Sequence, residues 1–266
     1  MSHDNIHWTV GGTGRLLGFE WGKEVMISYL PLSHIAANAV DVWAMFINGG
    51  TVFFADKMAL KGTLLATIQE ARPTVFFGVP RVWEKIHEGM AAKGREVKGL
   101  KKAISTACKA AGLKHHLEGK DGMMYSVGKK AVYGKVREAL GLERARLFFT
   151  GAAPTAMDTY KYFLSLDIVL QDAYGMSETS GPHHLLHPPT CAHLGSVGQA
   201  VPGCKTKLKN QDPDGNGEVA MYGRNIMMGY LNREDKTSED IDSEGYMCSG
   251  DIGSMNKDGY LFITGW

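Results

Sequence analysis

Cysteine is scarce. Four stand in 266 residues, Cys108, Cys191, Cys204 and Cys248, and no two make a C-x-x-C pair. That excludes a disulfide scaffold and makes a reduced, cytosolic setting the expectation. Long apolar runs are lacking too: none reaches the roughly 18 residues of a membrane span. The opening MSHDNIHWTV has no apolar stretch of the kind a signal peptide needs. An excess of one charge is also missing. Lys plus Arg is 29 and Asp plus Glu is 28, so no nucleic-acid partner is expected, and membrane contact is expected to be peripheral at most. There is no internal repeat and no low-complexity tract. What is plentiful is glycine, 33 residues scattered among apolar runs, as where a backbone turns tightly or approaches a ligand. With 44% hydrophobic and 21% charged residues, the chain is globular and long enough for a sizeable core.

Strand and helix patterns alternate from Val25 to Leu170. VMISYL (25–30), TVFFA (51–55), TVFFGVP (74–80), RLFFTG (146–151) and DIVLQDAYG (167–175) read as strands. Ser33 is the expected N-cap of a helix ending at Gly49-Gly50, a second helix covers 60–71, and Pro80 suits the first turn of a third. This alternation predicts an α/β fold with a mostly parallel sheet. The stretch 91–140 carries twelve Lys or Arg against four acids. It reads as a solvated helical region with a basic outer face, in preference to a patch for anionic lipid or CoA phosphate. After Gly181 turn formers crowd together in GSVGQAVPG (195–203) and DPDGNGE (212–218), which predicts a smaller β-rich, barrel-like subdomain. The expected division is 1–190, α/β, and 191–266, β-rich.

Four segments offer chemistry. Asp172-Ala173-Tyr174-Gly175-Met176-Ser177-Glu178-Thr179 follows the apolar strand IVLQ. Beyond a parallel strand's carboxyl end, an aromatic ring, a glycine, a hydroxyl and a carboxylate could stack a base, touch a phosphate and hold Mg²⁺. The same residues also read as an ordinary strand–turn–helix with Ser177 as N-cap. Asp251, after Ser249-Gly250, could accept both hydroxyls of a ribose, or simply cap a turn. Gly151-Ala152-Ala153-Pro154 could wall a nucleotide plane, or form a tight turn. His34 opens a helix after a strand, a position more often structural than catalytic.

Taken in order, YGMSET, the Gly-Asp of YMCSGD, TGAAPT, GSVGQAVPG and GEVAMYGRNIMMGYLNRED resemble the adenylate-forming acyl-CoA synthetase superfamily. YLPLSHIAAN, FFGVPRVWEKI and YGMSETSGPH look most like bubblegum-type long-chain-fatty-acid–CoA ligases. The resemblance implies the central part of the large N-terminal domain of such an enzyme. It implies ATP, Mg²⁺ and CoA, a long-chain or very-long-chain fatty acid as substrate, and a cytosolic place peripheral to the endoplasmic reticulum. It implies that a fatty-acid carboxylate attacks the α-phosphate of ATP and that the CoA thiol then displaces AMP. Tyr174 would lie near adenine, Ser177 or Thr179 would face phosphate, and Glu178 would hold Mg²⁺. Gly151, Ala152, Ala153 and Pro154 would line the adenine and carboxylate region, with Asp172, Ala173, Gly175 and Met176 beside it. Asp251 would bind ribose, His34 would sit near the carboxylate, and Phe77-Gly78-Val79 near the acyl tunnel.

Two departures stand out. The family's Ser/Thr/Gly-rich phosphate loop ending in Pro-Lys-Gly does not occur in these residues, and no G-x-x-x-x-G-K-[ST] replaces it. Where the family reads Ile-Thr-Gly-Arg near a hinge, this sequence reads Ile263-Thr264-Gly265-Trp266. The expectation is therefore a fragment, inactive alone, with weak or undetectable ATP binding. The alternative is a non-catalytic isoform acting as an acyl- or nucleotide-binding or interaction module. Other classes fit less well. No G-x-S-x-G elbow supports a serine hydrolase. Gly12-Thr13-Gly14-Arg15-Leu16-Leu17-Gly18 has one residue too many for a dinucleotide fingerprint. His183, His184, His187, Cys191 and His193 have suggestive spacing for a transition metal, but prolines intervene.

Overall fold

The computed structural model describes residues 1–187 and 193–265. Helix α1 (His3–Leu16) opens the chain. The Ser2 hydroxyl accepts from the Asn5 N–H at 3.1 Å, and Asn5 Oδ1 accepts from the Ser2 N–H at 2.8 Å, a reciprocal cap that fixes where the helix starts. Strand β1 (Val25–Ser28) leads to α2, which is α-helical over Ile35–Ala37, widens into a π-helix over Asn38–Ala44, and returns to α over Met45–Ile47. His34, not Ser33, caps this helix: its Nδ1 accepts from the Ala36 N–H at 3.1 Å. Strand β2 (Thr51–Phe54) pairs parallel with β1.

Next come α3 (Leu64–Ala71), β3 (Val75–Phe77), α4 (Pro80–Glu96), α5 (Gly99–Glu118) and α6 (residues 123–140). Pro80 takes the first turn of α4, where its missing N–H costs nothing. Then follow β4 (Leu147–Gly151), α7 (Met157–Leu164), β5 (Leu170–Met176), β6 (Gly181–Leu185) and β7 (Gln199–Ala200). The main sheet runs β3-β4-β5-β6-β7, parallel through β5 and antiparallel beyond it. The change of texture after Gly181 thus begins as a reversal of strand direction inside the same sheet. The expected boundary at 190/191 lies outside the described residues.

Strands β8 (Lys205–Lys209) and β9 (Gly217–Tyr222), helix α8 (Glu234–Asp240), and strands β10 (Met247–Met255) and β11 (Leu261–Gly265) complete the chain. These strands form one antiparallel sheet ordered β11-β10-β9-β8. The expected barrel is therefore corrected to an open sheet, because β8 and β11 each pair on one side only.

Alternation along the parallel strands sorts the core into two layers. Phe76, Phe148 and Leu170 face Leu64, Ile68, Val82, Trp83 and Phe163 on one side of the sheet. Val75, Phe77, Leu147 and Phe149 face Val10, Ala39, Met45 and Leu185 on the other. Each side carries a cavity.

Candidate functional site

A cavity of about 340 Å³ lies between α1, α2 and the carboxyl ends of β3, β4 and β5. Its interior is apolar, with Val10, Leu17, Ala39, Phe77, Phe149 and Leu185 among its walls. The exposed His34, Ala152 and Ser177 mark its open side, beside Tyr174 and Glu178. This is where ligands bind in open parallel sheets. The pairing of apolar depth with a polar rim suits a ligand with a hydrocarbon tail and a charged head.

The octapeptide is neither a loop nor a helix start. Strand β5 continues through Tyr174, Gly175 and Met176, Ser177–Thr179 make one 3₁₀ turn, and β6 runs back antiparallel. Only glycine fits at 175, since a Cβ there would lie 2.0 Å from the Gly181 carbonyl oxygen. The two candidate hydroxyls part company. Ser177 is exposed at the rim. Thr179 is fully buried; its Oγ1 accepts from the Met176 N–H at 2.9 Å and donates to the Gly181 carbonyl at 2.6 Å. Its hydroxyl closes the turn, so the phosphate-facing reading of Thr179 is corrected to a structural one. Asp172 is corrected likewise. It is buried behind the strand, where its carboxylate accepts from the Tyr160 hydroxyl, and burial pushes it up to about 7.

Glu178 remains at the cavity, held from two sides. The Tyr230 hydroxyl donates to its Oε1 at 3.1 Å, and the Met227 N–H donates to its carbonyl at 2.8 Å. Asn225 Nδ2 donates to the Thr179 carbonyl at 3.2 Å. Asn5 of α1 in turn donates to the Arg224 and Ile226 carbonyls at 2.8 and 2.9 Å. Neither Tyr230 nor Asn225 was legible as a site residue, because their partners lie about fifty residues away. Nor was α1, whose Val10, Thr13 and Gly14, with its C-cap Leu17, line the cavity.

The second sheet reaches the site through Asp251. Its Oδ2 accepts from the Tyr174 hydroxyl at 2.6 Å. A register shift between Cys248 and Ile252, with Gly250 at φ +76, throws Asp251 out of the ladder. At β4, Gly151 leaves no room for a side chain, as its Cβ would sit 2.6 Å from the Ala173 carbonyl oxygen. Ala152 follows at φ +67 and lines the cavity; Ala153 and Pro154 are exposed in the same turn. His34 uses Nδ1 for its cap, so the neutral ring carries its proton on Nε2.

A magnesium ion fits this donor set in one way only. Among the described residues no group of three or more His, Cys, Asp or Glu side chains could enclose a metal. One rim carboxylate, Glu178, can share an ion with substrate phosphate oxygens and water, which is the usual Mg²⁺ arrangement. Among the described residues the histidine cluster holds no such site. His183 and His184 are fully buried, and burial pushes His183 down to about 4 and lowers His184 too. His183 donates from Nε2 to the Lys205 carbonyl at 3.2 Å, and its Nδ1 accepts from Asn225 at 3.0 Å. His187 meets Gln171, and His193 stacks on Tyr260. Cys191 lies outside the described residues.

The strand-end glycines, the Glu178 turn and the Asp251 bulge meet at the mouth of the apolar cavity. Residues 1–231 match the AMP-binding enzyme family, and the chain belongs to it. Across its full length it is 46% identical to the long-chain-fatty-acid–CoA ligase ACSBG2 of Xenopus laevis, and it spans 37% of that protein. Against human ACSBG2 the identity is 42% over the full chain and 40% of that protein. The chain thus spans about two-fifths of the length of these relatives. In fold it resembles o-succinylbenzoate CoA synthetase of Bacillus subtilis in complex with AMP, with a TM-score of 0.72 and 19% identity over 99% of this chain and 45% of that one. The N-terminal domain of FACL13 from Mycobacterium tuberculosis gives 0.70 and 20% over 99% of this chain and 55% of that one.

Proposed function

We propose that this chain serves the ATP-dependent activation of long-chain fatty acids to CoA thioesters, by holding the acyl-adenylate. The observation that carries this is the Tyr174–Asp251 hydrogen bond beside the apolar cavity. It brings a carboxylate and an aromatic ring together beside an apolar hollow, which supports reading them as the partners of a ribose and a base. Glu178 and Ser177 face the phosphate, Glu178 sharing Mg²⁺ with it, and the His34 Nε2–H is turned to the acyl carboxylate. In this reading Tyr174 and Asp251 hold the AMP half and the apolar cavity holds the acyl half, so affinity rests on those two halves. We place the protein in the cytosol, peripheral to the endoplasmic reticulum; no helix of the described residues is long and apolar enough to cross a membrane.

The test is calorimetry with a non-hydrolysable palmitoyl sulfamoyl adenosine. The analogue should bind, and Asp251→Ala should weaken it roughly 10- to 100-fold, the worth of about 1.5–3 kcal/mol for a charged hydrogen bond. ATP–Mg²⁺ alone should bind far more weakly than the analogue. An analogue bound equally well by the Asp251 variant defeats the assignment. Pyrophosphate release with palmitate, ATP, Mg²⁺ and CoA tests whether this chain completes the reaction.

A further inference from the structure

The opposite side of the sheet carries a second, larger cavity of about 790 Å³, in a groove between α3, α4, α5 and α6. The two cavities belong to different core layers, with Phe76 and Phe148 directed to one and Phe77 and Phe149 to the other. The floor of the groove is hydrocarbon: Leu64, Ile68, Val79, Val82, Val136 and Leu140. Leu60, Leu65 and Val97 stay exposed along it. Every charged residue lining it is a cation, Lys61, Arg81, Lys85, Lys93 and Lys109, and no acid does. Arg81 pairs with Glu84 at 3.0 Å, and Lys85 donates to the Leu60 carbonyl. Lys109 is half-buried and lies 4.9 Å from the centre of the Tyr162 ring, with no carboxylate partner among the described residues. A half-buried ammonium with no carboxylate partner among the described residues, beside a long apolar trough, is complementary to a single-chain anion. The volume falls in the range of sites for one small ligand.

We propose that this groove binds one free long-chain fatty acid, its hydrocarbon along the apolar floor and its carboxylate paired with Lys109. This is a second acyl site, independent of the adenylate reading and separated from the first cavity by the sheet. It also revises the reading of residues 91–140 as merely solvated: Lys93 and Lys109 line a site.

Gly89 of α4 lines the groove, and a Cβ there would meet nothing within 4 Å. Gly89→Leu therefore fills the trough without a backbone clash, and it raises helix propensity. The full chain is titrated with a fluorescent long-chain polyene fatty acid below its micelle concentration, with displacement by palmitate. Gly89→Leu should weaken binding about tenfold or more, roughly 1.4 kcal/mol, while its thermal melt stays at least as high as the parent's. Lys109→Met should weaken palmitate by a similar factor and leave a long-chain alcohol unchanged. Val40 lines the first cavity from α2, so Val40→Phe narrows that cavity and should leave this binding intact. The proposal fails if Val40→Phe alone abolishes fatty-acid binding, or if Gly89→Leu and Lys109→Met bind like the parent. It also fails if only anionic vesicles bind and the monomeric acid does not. Analogue binding at the first cavity is read separately, so either reading can fail alone.

Discussion

Replacing Trp83 with alanine is expected to destabilise the fold by about 3–5 kcal/mol. Trp83 is fully buried on the first turn of α4, under the parallel strands. Its ring meets Phe76 and Phe163 edge-on, with centroids 5.2 and 4.9 Å away. Its indole N–H donates to the Phe149 carbonyl at 3.0 Å. Truncation removes the largest buried side chain of this layer and leaves a hollow that the rigid sheet above cannot fill. Trp83→Phe separates the two contributions. The Phe149 carbonyl still accepts from the Gly78 N–H at 2.9 Å, so losing the indole donor alone should cost only about 1 kcal/mol beyond the change in volume. Urea denaturation of the three proteins measures this through shifts in midpoint at constant slope. If Trp83→Ala unfolds within about 1 kcal/mol of the parent, the helix layer is not anchored by this residue. The consequence reaches the site, because Phe149 also lines the first cavity on the other face.

How much of this was legible depended on how each segment buries itself. Val75–Phe77 and Leu147–Gly151 are covered on both faces, so their apolar runs announced strands. Pro80 announced a helix start because its geometry allows little else. Helix α1 gave no such signal. Its buried positions include Asn5, Thr9, Gly11 and Gly14, small or polar residues that let it pack close. No apolar stripe marks it, yet it forms a wall of the cavity. The cap of α2 was misplaced by one residue, since an imidazole can accept as a hydroxyl does. Strand β6 was hidden because it buries two histidines, which sequence patterns read as surface or metal ligands. At the site, Tyr174, Glu178, Asp251, His34 and Ala152 could be named from local motifs. The roles of Thr179, Asp172 and Tyr230 could not. Each is decided by a hydrogen bond whose partner is fixed only once strands turn back and the two sheets meet.

Four buried titratable groups set a pH response that Asp41→Asn should expose. Burial pushes the folded pKa of His183 down to about 4 and that of His184 well below the unfolded 6.5, so unfolding at a pH below about 6.5 takes up a proton at each. That contribution is present at neutral pH and lost as pH falls. Asp172 and Asp41 are the opposite case. Burial pushes each from 3.8 up to about 7, so unfolding in the same window releases a proton from each. Their contribution is complete below 3.8 and lost as pH rises through about 7. Two uptakes and two releases nearly cancel, and these groups leave the parent's stability almost level from pH 4.5 to 6. Asp41 sits on the π-helical stretch of α2, its carboxyl held by the Ser28 hydroxyl. A hydroxyl can donate or accept, so it can also serve an asparagine amide. Removing one release leaves about one net proton taken up on unfolding, and stability should then fall by ~1.4 kcal/mol per pH unit on acidification. At pH 8 the same variant should be more stable than the parent by up to about 4 kcal/mol, since it no longer buries a charge. Urea midpoints at pH 4.5, 6 and 8, on the order of one titration curve each, decide the matter. Curves for parent and variant that run parallel across that range would mean that Asp41 is ionised in the folded protein.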